Sequence, residues 1–173
     1  MSDFGWGALR ADAAGTVADA ERWMRHALRE AEEAAAEDEV PVGCVIVFEG
    51  RIIGRGHNRV EALQDPTAHA EILALTAASA TLGSWRLPGV HVYVTVEPCV
   101  MCAGAMTLAR IETVWFGTRE PKFGACGSRI DLPAVEGLNH SVRAVGGILE
   151  EESAALMRSF FRLKRMNGVI PPE

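Results

Sequence analysis

Cys99 and Cys102 close the run Val94-Thr-Val-Glu-Pro-Cys-Val-Met-Cys102, where a buried-type strand gives way to a proline. Proline is favoured at the start of a helix, and residues three apart on a helix share one face. Both sulfurs are therefore within reach of a single metal ion. Upstream, His69-Ala-Glu71 offers an imidazole nitrogen and, two residues on, a carboxylate. Two thiolates and one imidazole make a three-ligand zinc set with the fourth position open, which separates catalytic from structural zinc. Such a zinc lowers the pKa of water to about 7, and Glu71 stands ready to carry the proton. Thiolates at a helix N-terminus are further favoured by the helix dipole. Mid-helix, His69 and Glu71 would diverge; at a helix entrance both can approach an ion lying off its end.

Two other chemistries fit part of this set. A structural zinc would need a fourth ligand, for which Cys44 is the candidate, and would give Glu71 no task. A strand followed by C-x-x-C and a helix also suits thiol–disulfide exchange, which leaves His69 and Glu71 without a role. Cys44, inside an apolar run, reads most simply as a small core residue, and Cys126 as incidental.

The elements that must position these residues follow from the patterning. Trp23, Met24, Ala27, Leu28 and Ala31 form one apolar stripe of a helix from about Thr16 to Ala36, with Thr16 and Asp19 as a weak capping box. Val42–Phe48 is a near-continuous apolar run, the mark of a strand covered on both faces. Glu49-Gly50 signals a tight hairpin, and Arg51 to Asn58 returns as a second strand. Residues 59–68 read as a loop. Asp65-Pro-Thr67 signals a helix start, with Asp65 or Thr67 as cap. The helix runs from Ala68 to Ala80, with Ile72, Leu73, Leu75 and Thr76 toward the core. Val90 to Val96 is a strand, Cys99 to about Ala109 a helix, and Ile111 to Phe116 a fourth strand. The Gly- and Pro-rich segment 117–141 reads as a long loop with one short helical turn. Val142 to Ile148 reads as a weak edge strand. Leu149 to about Met166 reads as a helix with Leu156, Met157, Phe160, Phe161 and Leu163 on its apolar side, and Arg158 as a candidate break point. Alternation of this kind predicts a mixed sheet with helices on both faces, its ligands at one sheet edge.

The 173 residues, 49% of them hydrophobic and 23% charged, suffice for one globular domain. We expect a flexible extension over 1–15, with Phe4 and Trp6 in it, one domain over 16–168, and a tail over 169–173. No apolar run reaches the length of a membrane span, and the start lacks a secretion signal. With unpaired cysteines, this points to the cytoplasm. The net charge of −6 argues against nucleic acid until it is located: residues 1–40 hold ten acids and four bases, so the remaining chain sums to zero. Within it, Arg158, Arg162, Lys164 and Arg165 form an acid-free basic run, suited either to phosphates or to a solvated helix end.

An H-x-E…P-C-x-x-C signature is that of zinc base deaminases. More specifically, Asp65-Pro-Thr-Ala-His-Ala-Glu71 with Glu97-Pro-Cys-Val-Met-Cys-Ala-Gly-Ala105 resembles the bacterial tRNA-specific adenosine deaminase (TadA) family. The likeness extends through Trp23-Met-Arg-His-Ala-Leu28, Val40-Pro-Val-Gly43, Gly56-His-Asn-Arg59, Lys122-Phe-Gly-Ala-Cys-Gly-Ser128 and Phe160-Phe-Arg-Leu-Lys-Arg165. The resemblance implies an α/β fold of the cytidine-deaminase-like kind, a three-layer α/β/α sandwich around a mixed five-stranded sheet. It implies a homodimer, one zinc per subunit held by His69, Cys99 and Cys102, and Glu71 as proton shuttle. The implied reaction converts adenosine to inosine at the wobble position of a tRNA anticodon. Asn58 and the backbone of Ala70 would meet the flipped base. Phe161, Arg162 and Arg165, with Lys122, would lie along the anticodon stem-loop. His57 and Glu120 depart from the family pattern, which has tryptophan and aspartate there. A free-base deaminase acting on guanine or cytosine shares the zinc core and is the second reading; family guanine deaminases usually carry proline where Val100 stands.

Overall fold

The computed structural model describes residues 17–169. The expected extension over 1–15, the Thr16 cap and the tail beyond Val169 lie outside the described residues. The chain runs α1 (Val17–Ala36), β1 (Gly43–Phe48), β2 (Arg51–His57), α2 (Val60–Leu63), α3 (Ala70–Leu82), β3 (His91–Val96), α4 (Val100–Ala109), β4 (Thr113–Thr118), a 3-10 turn (Leu132–Ala134), β5 (Arg143–Val145) and α5 (Glu150–Met166). The strands form one sheet in the order β2-β1-β3-β4-β5. β1 is antiparallel to both neighbours, while β3, β4 and β5 are parallel. This is the expected mixed five-stranded sheet.

Side chains of a strand alternate between faces, and here each face has its own core. Cys44, Ile46, Val92, Val94, Val114 and Phe116 pack on α3 and α4. Val45, Val47, Tyr93 and Trp115 pack on α1 and on Ile148, just ahead of α5. The result is helix, sheet and helix in three layers. On α1 the buried residues are Ala20, Trp23, Met24, Ala27, Ala31 and Ala34: the expected stripe extended by alanines at both ends, except that Leu28 is only half-buried. The β1–β2 turn has positive φ at both Glu49 (48°) and Gly50 (70°), the backbone that a two-residue hairpin needs to match strand twist.

Several local expectations are corrected. The loop 59–68 contains the one-turn helix α2. Asp65 does not cap α3; its Oδ1 accepts from Thr67 N at 2.8 Å and Thr67 Oγ1 at 2.7 Å, closing a turn of its own. The helix starts two residues later than expected, with His69 in extended conformation at its N-cap. Thr76 faces solvent, and the core face of α3 is Ala70, Ala74, Leu75 and Ala78. Helix α5 passes Arg158 without a break, Arg158 pairing with Glu151, and Leu163 is exposed.

The alanine face of α3 has a physical reason. A Cβ on Gly54 would stand 2.4 Å from the Ala74 carbonyl oxygen, and one on Gly56 would stand 2.5 Å from that of Ala70. Strand β2 and helix α3 therefore meet backbone to backbone, which places the N-terminus of α3 beside the end of β2. Because β2, β3 and β4 run in the same direction, their C-terminal ends deliver Asn58, Glu97 and Glu120 to one edge. Gly56→Ala should destabilise the fold by at least about 2 kcal/mol, since the clash is with backbone. Gly104, in α4, has nothing within 4 Å of a built Cβ, so Gly104→Ala should be neutral or stabilising by up to about 1 kcal/mol. Denaturant unfolding of the two variants checks this; equal stabilities would contradict the packing account.

Candidate active site and metal centre

Residues that α3 and α4 present at their N-termini meet at the sheet edge. Cys99 is the N-cap of α4, in extended backbone, and Cys102 lies in its first turn. His69 Nδ1 is 3.7 Å from Cys99 Sγ and 3.6 Å from Cys102 Sγ. The three donor atoms all lie within 4.8 Å of one another, the one such cluster among the described residues. Tetrahedral zinc with its usual bond lengths sets nitrogen–sulfur edges of about 3.5 Å, so the donor set fits zinc in kind and spacing. Cys44 takes no part: it is fully buried in the sheet core, where burial raises its thiol well above the ordinary range. Among the described residues no fourth protein donor joins the cluster, so the structural-zinc alternative finds no support in them. All four cysteines are unpaired.

The electrostatics suit a cation. The hydrogen bond from Cys102 holds the Cys99 thiol down to about 4, and the same bond pushes Cys102 up. The hydrogen bond with Cys99 raises His69. Glu71, in the first turn of α3, is 4% exposed, and burial pushes its carboxyl up.

The cluster opens into a cavity of about 650 Å³, a size common for small-molecule sites. His69, Glu71, Cys99 and Asn58 line it from the floor and side. Glu120 and Phe123 line it from the loop after β4, and Phe160, Phe161 and Lys164 from α5. Asn58 is 8% exposed. Ala70 is buried against Gly56 and is not among the residues that line the cavity. Phe161 thus reaches the cavity, whereas Lys122 lines a neighbouring groove with Val100, Phe123, Arg129 and Ile130. Arg162 is exposed and Arg165 half-buried on α5, outside the cavity lining. The basic run is not a bare stripe: Lys164 Nζ is 2.7 Å from Asp38 Oδ1, across the cavity mouth. His57 lies 3.7 Å from Glu30 and 3.4 Å from Glu37. Glu120 Oε1 accepts from the Lys122 backbone at 2.8 Å.

Two buried carboxylates escaped the sequence reading. Glu97, 3% exposed, accepts from the backbone N–H groups of Glu120 (3.1 Å), Cys126 (2.9 Å) and Ser128 (3.0 Å), and from the Ser128 hydroxyl. Burial pushes its carboxyl up, but these bonds outweigh burial and hold it below the ordinary range. Glu97 thereby folds the post-β4 loop over Cys99. Glu39, 1% exposed, accepts from Asn58 Nδ2 and Ala62 N. The available signal for Glu97 was its position between an apolar run and Pro98-Cys99.

Residues 17–118 match the cytidine and deoxycytidylate deaminase zinc-binding region. The tRNA-specific adenosine deaminase of Bacillus subtilis (strain 168) is 46% identical over 142 residues, covering 82% of this chain and 88% of that one. That of Agrobacterium fabrum (strain C58 / ATCC 33970) is 44% identical over 151 residues, covering 87% and 99%. A structure from work on A-to-I editing by tRNA A34 deaminases at the wobble position superposes with a TM-score of 0.76, at 44% identity over 78% of this chain and 98% of that one. A guanine deaminase from Nitrosomonas europaea superposes at 0.68, with 27% identity over 92% and 97%. With its zinc-fitting site on this fold, the chain belongs to the tRNA-specific adenosine deaminase family, within the cytidine and deoxycytidylate deaminase zinc-binding group.

Proposed function

We propose that the protein hydrolyses adenosine to inosine at the wobble position of a tRNA anticodon. The observation that carries this is the cluster of His69, Cys99 and Cys102, with His69, Cys99 and buried Glu71 lining a cavity roomy enough for a base, in a chain that is 44–46% identical to tRNA adenosine deaminases. Free guanine or cytosine is the second substrate class; solved guanine deaminases superpose less closely, with TM-scores of 0.56 and 0.68 against 0.76. No described helix is long and apolar enough to cross a membrane.

The chemistry divides among the residues as follows. His69, Cys99 and Cys102 would hold zinc, which supplies Lewis acidity and a water activated at neutral pH. Glu71 takes a proton from the attacking water and delivers protons to the ring and to the departing amine. One water is consumed, the C6–oxygen bond forms, the bond from C6 to the exocyclic nitrogen breaks, and ammonia leaves. Burial of Glu71 keeps bulk water from competing for that proton. Asn58, on the cavity wall, orients the extruded base. Phe161 at the mouth gives a stacking face, and Arg162, Arg165 and Lys122 supply charge to the anticodon stem-loop.

We also propose a homodimer. Val100, Leu108, Phe123 and Ile130 are 48%, 66%, 70% and 46% exposed. Three of them line the groove beside α4, and apolar exposure of this kind marks association surfaces. Sedimentation at micromolar concentration should give twice the chain mass; a monomer would contradict it.

Two measurements test the reaction. Purified protein loaded with zinc and incubated with tRNA bearing a wobble adenosine should yield inosine, a mass gain of about one unit in the anticodon fragment, because an amino group is exchanged for a carbonyl oxygen. An unchanged tRNA, with ammonia released from free guanine or cytosine, would instead select the second class. Glu71→Ala should lower kcat by at least about 100-fold, as loss of a general acid–base group does, while zinc content stays at that of the wild type. Retained turnover would contradict the shuttle role.

A further inference from the structure

Glu39 has no place in the reaction just described, yet it is among the most completely buried charged residues of the molecule, at 1% exposure. It sits between α1 and β1, on the wall of the cavity. Its two oxygens meet donors from two separate elements. Oε2 accepts from Asn58 Nδ2 at 3.1 Å, and Oε1 accepts from the backbone N–H of Ala62, in α2, at 2.7 Å. Both partners donate. A carboxylate accepts on both oxygens, whereas glutamine offers one acceptor and one donor.

This pairing has a consequence for Asn58. An asparagine amide can be turned over to exchange its oxygen and nitrogen, and the two orientations present opposite hydrogen-bonding character to a ligand. A carboxylate on one side tolerates only the NH₂ edge. The Asn58 backbone is held independently, its N–H donating to Val42 O at 3.0 Å. Among the described residues Asn58 Oδ1 accepts no hydrogen bond, and it is not one of the sealed, unpaired polar atoms. It is therefore left to the cavity that Asn58 lines.

We propose that Glu39 is a positioning residue. It fixes the amide of Asn58 with the carbonyl oxygen toward the cavity, as an acceptor for a ligand N–H, and locks that orientation to the α2 turn. The cavity would thus select heterocycles that bring a donor to this wall. The activity arm of the test rests on the tRNA adenosine reading; the stability arm does not.

The test reverses the polarity of the pair. Glu39→Gln sets an amide against two N–H donors, and Asn58→Asp sets two carboxylates face to face. In E39Q/N58D the glutamine can donate to the aspartate at that position and accept from Ala62 N–H. Both bonds are restored, and the cavity again meets an oxygen that accepts. Melting temperature, zinc content and kcat/KM on an anticodon stem-loop with wobble adenosine are measured for the wild type and the three variants. Each single variant should melt below the wild type, and the double variant above the sum of the two losses. The kcat/KM of E39Q should fall about tenfold to hundredfold, the range for losing a hydrogen bond to a charged group. It should recover in the double variant to within about tenfold of the wild type, because the acceptor toward the cavity is restored, with wild-type zinc content throughout. A fall in kcat/KM of E39Q measured well below its melting temperature, with zinc fully bound, is what a purely structural role would not give. Wild-type kcat/KM in E39Q, or additive melting losses in the double variant, would overturn the proposal. If the wild type makes no inosine, the functional reading fails, and the melting comparison alone decides the Glu39–Asn58 pairing.

Discussion

Two helix N-termini must be brought close enough for one imidazole nitrogen and two sulfurs to stand within 4.8 Å of each other. Most of the architecture serves that meeting. Cys99 and Cys102 need only the first turn of α4, but His69 arrives from a different helix. Its approach depends on α3 lying against β2 with no side chain between them, which Gly54, Gly56 and the alanines of α3 allow. The parallel run of β3 into β4 then brings the loop carrying Glu120 to the same edge. A catalytic centre assembled this way tolerates little change in helix–sheet distance, since small displacements at a reacting centre cost large factors in rate.

Three buried glutamates divide the work around that centre, and their surroundings separate their roles. Glu71 has few compensating donors, and burial raises its carboxyl, which suits a group that must accept and release a proton. Glu97 is surrounded by N–H groups and a hydroxyl, which hold it below the ordinary range; it anchors a loop. Glu39 bridges a side-chain amide and a backbone amide from different elements. One residue type thus stands in three different electrostatic settings, set by how many donors face it, and the proposed roles of proton carrier and brace rest on that difference.

Much of this was legible in the sequence. The ligands were readable because their spacing is local: two cysteines three apart after a proline, and a histidine two before a glutamate. The strands β1 and β3 were readable because both faces are covered, so the runs are apolar without interruption. The face of α3 was misread at Thr76 because hydropathy weights large residues, while this contact is built from alanine against glycine. The start of α3 was misplaced because Asp65 finds partners in its own turn. Glu39 and Glu97 stayed hidden because their partners lie 19 to 31 residues away. The basic run of α5 read as open because Asp38, the partner of Lys164, belongs to another element.

The central claim is a zinc ion held by one nitrogen and two sulfurs of this chain, with a position left for water. X-ray absorption at the zinc edge of the purified protein tests it most directly. The account predicts two sulfur neighbours at about 2.3 Å and two lighter ones at about 2.0 Å, by the usual bond lengths of zinc sites. Three or four sulfur neighbours, or a shell without sulfur, would contradict it.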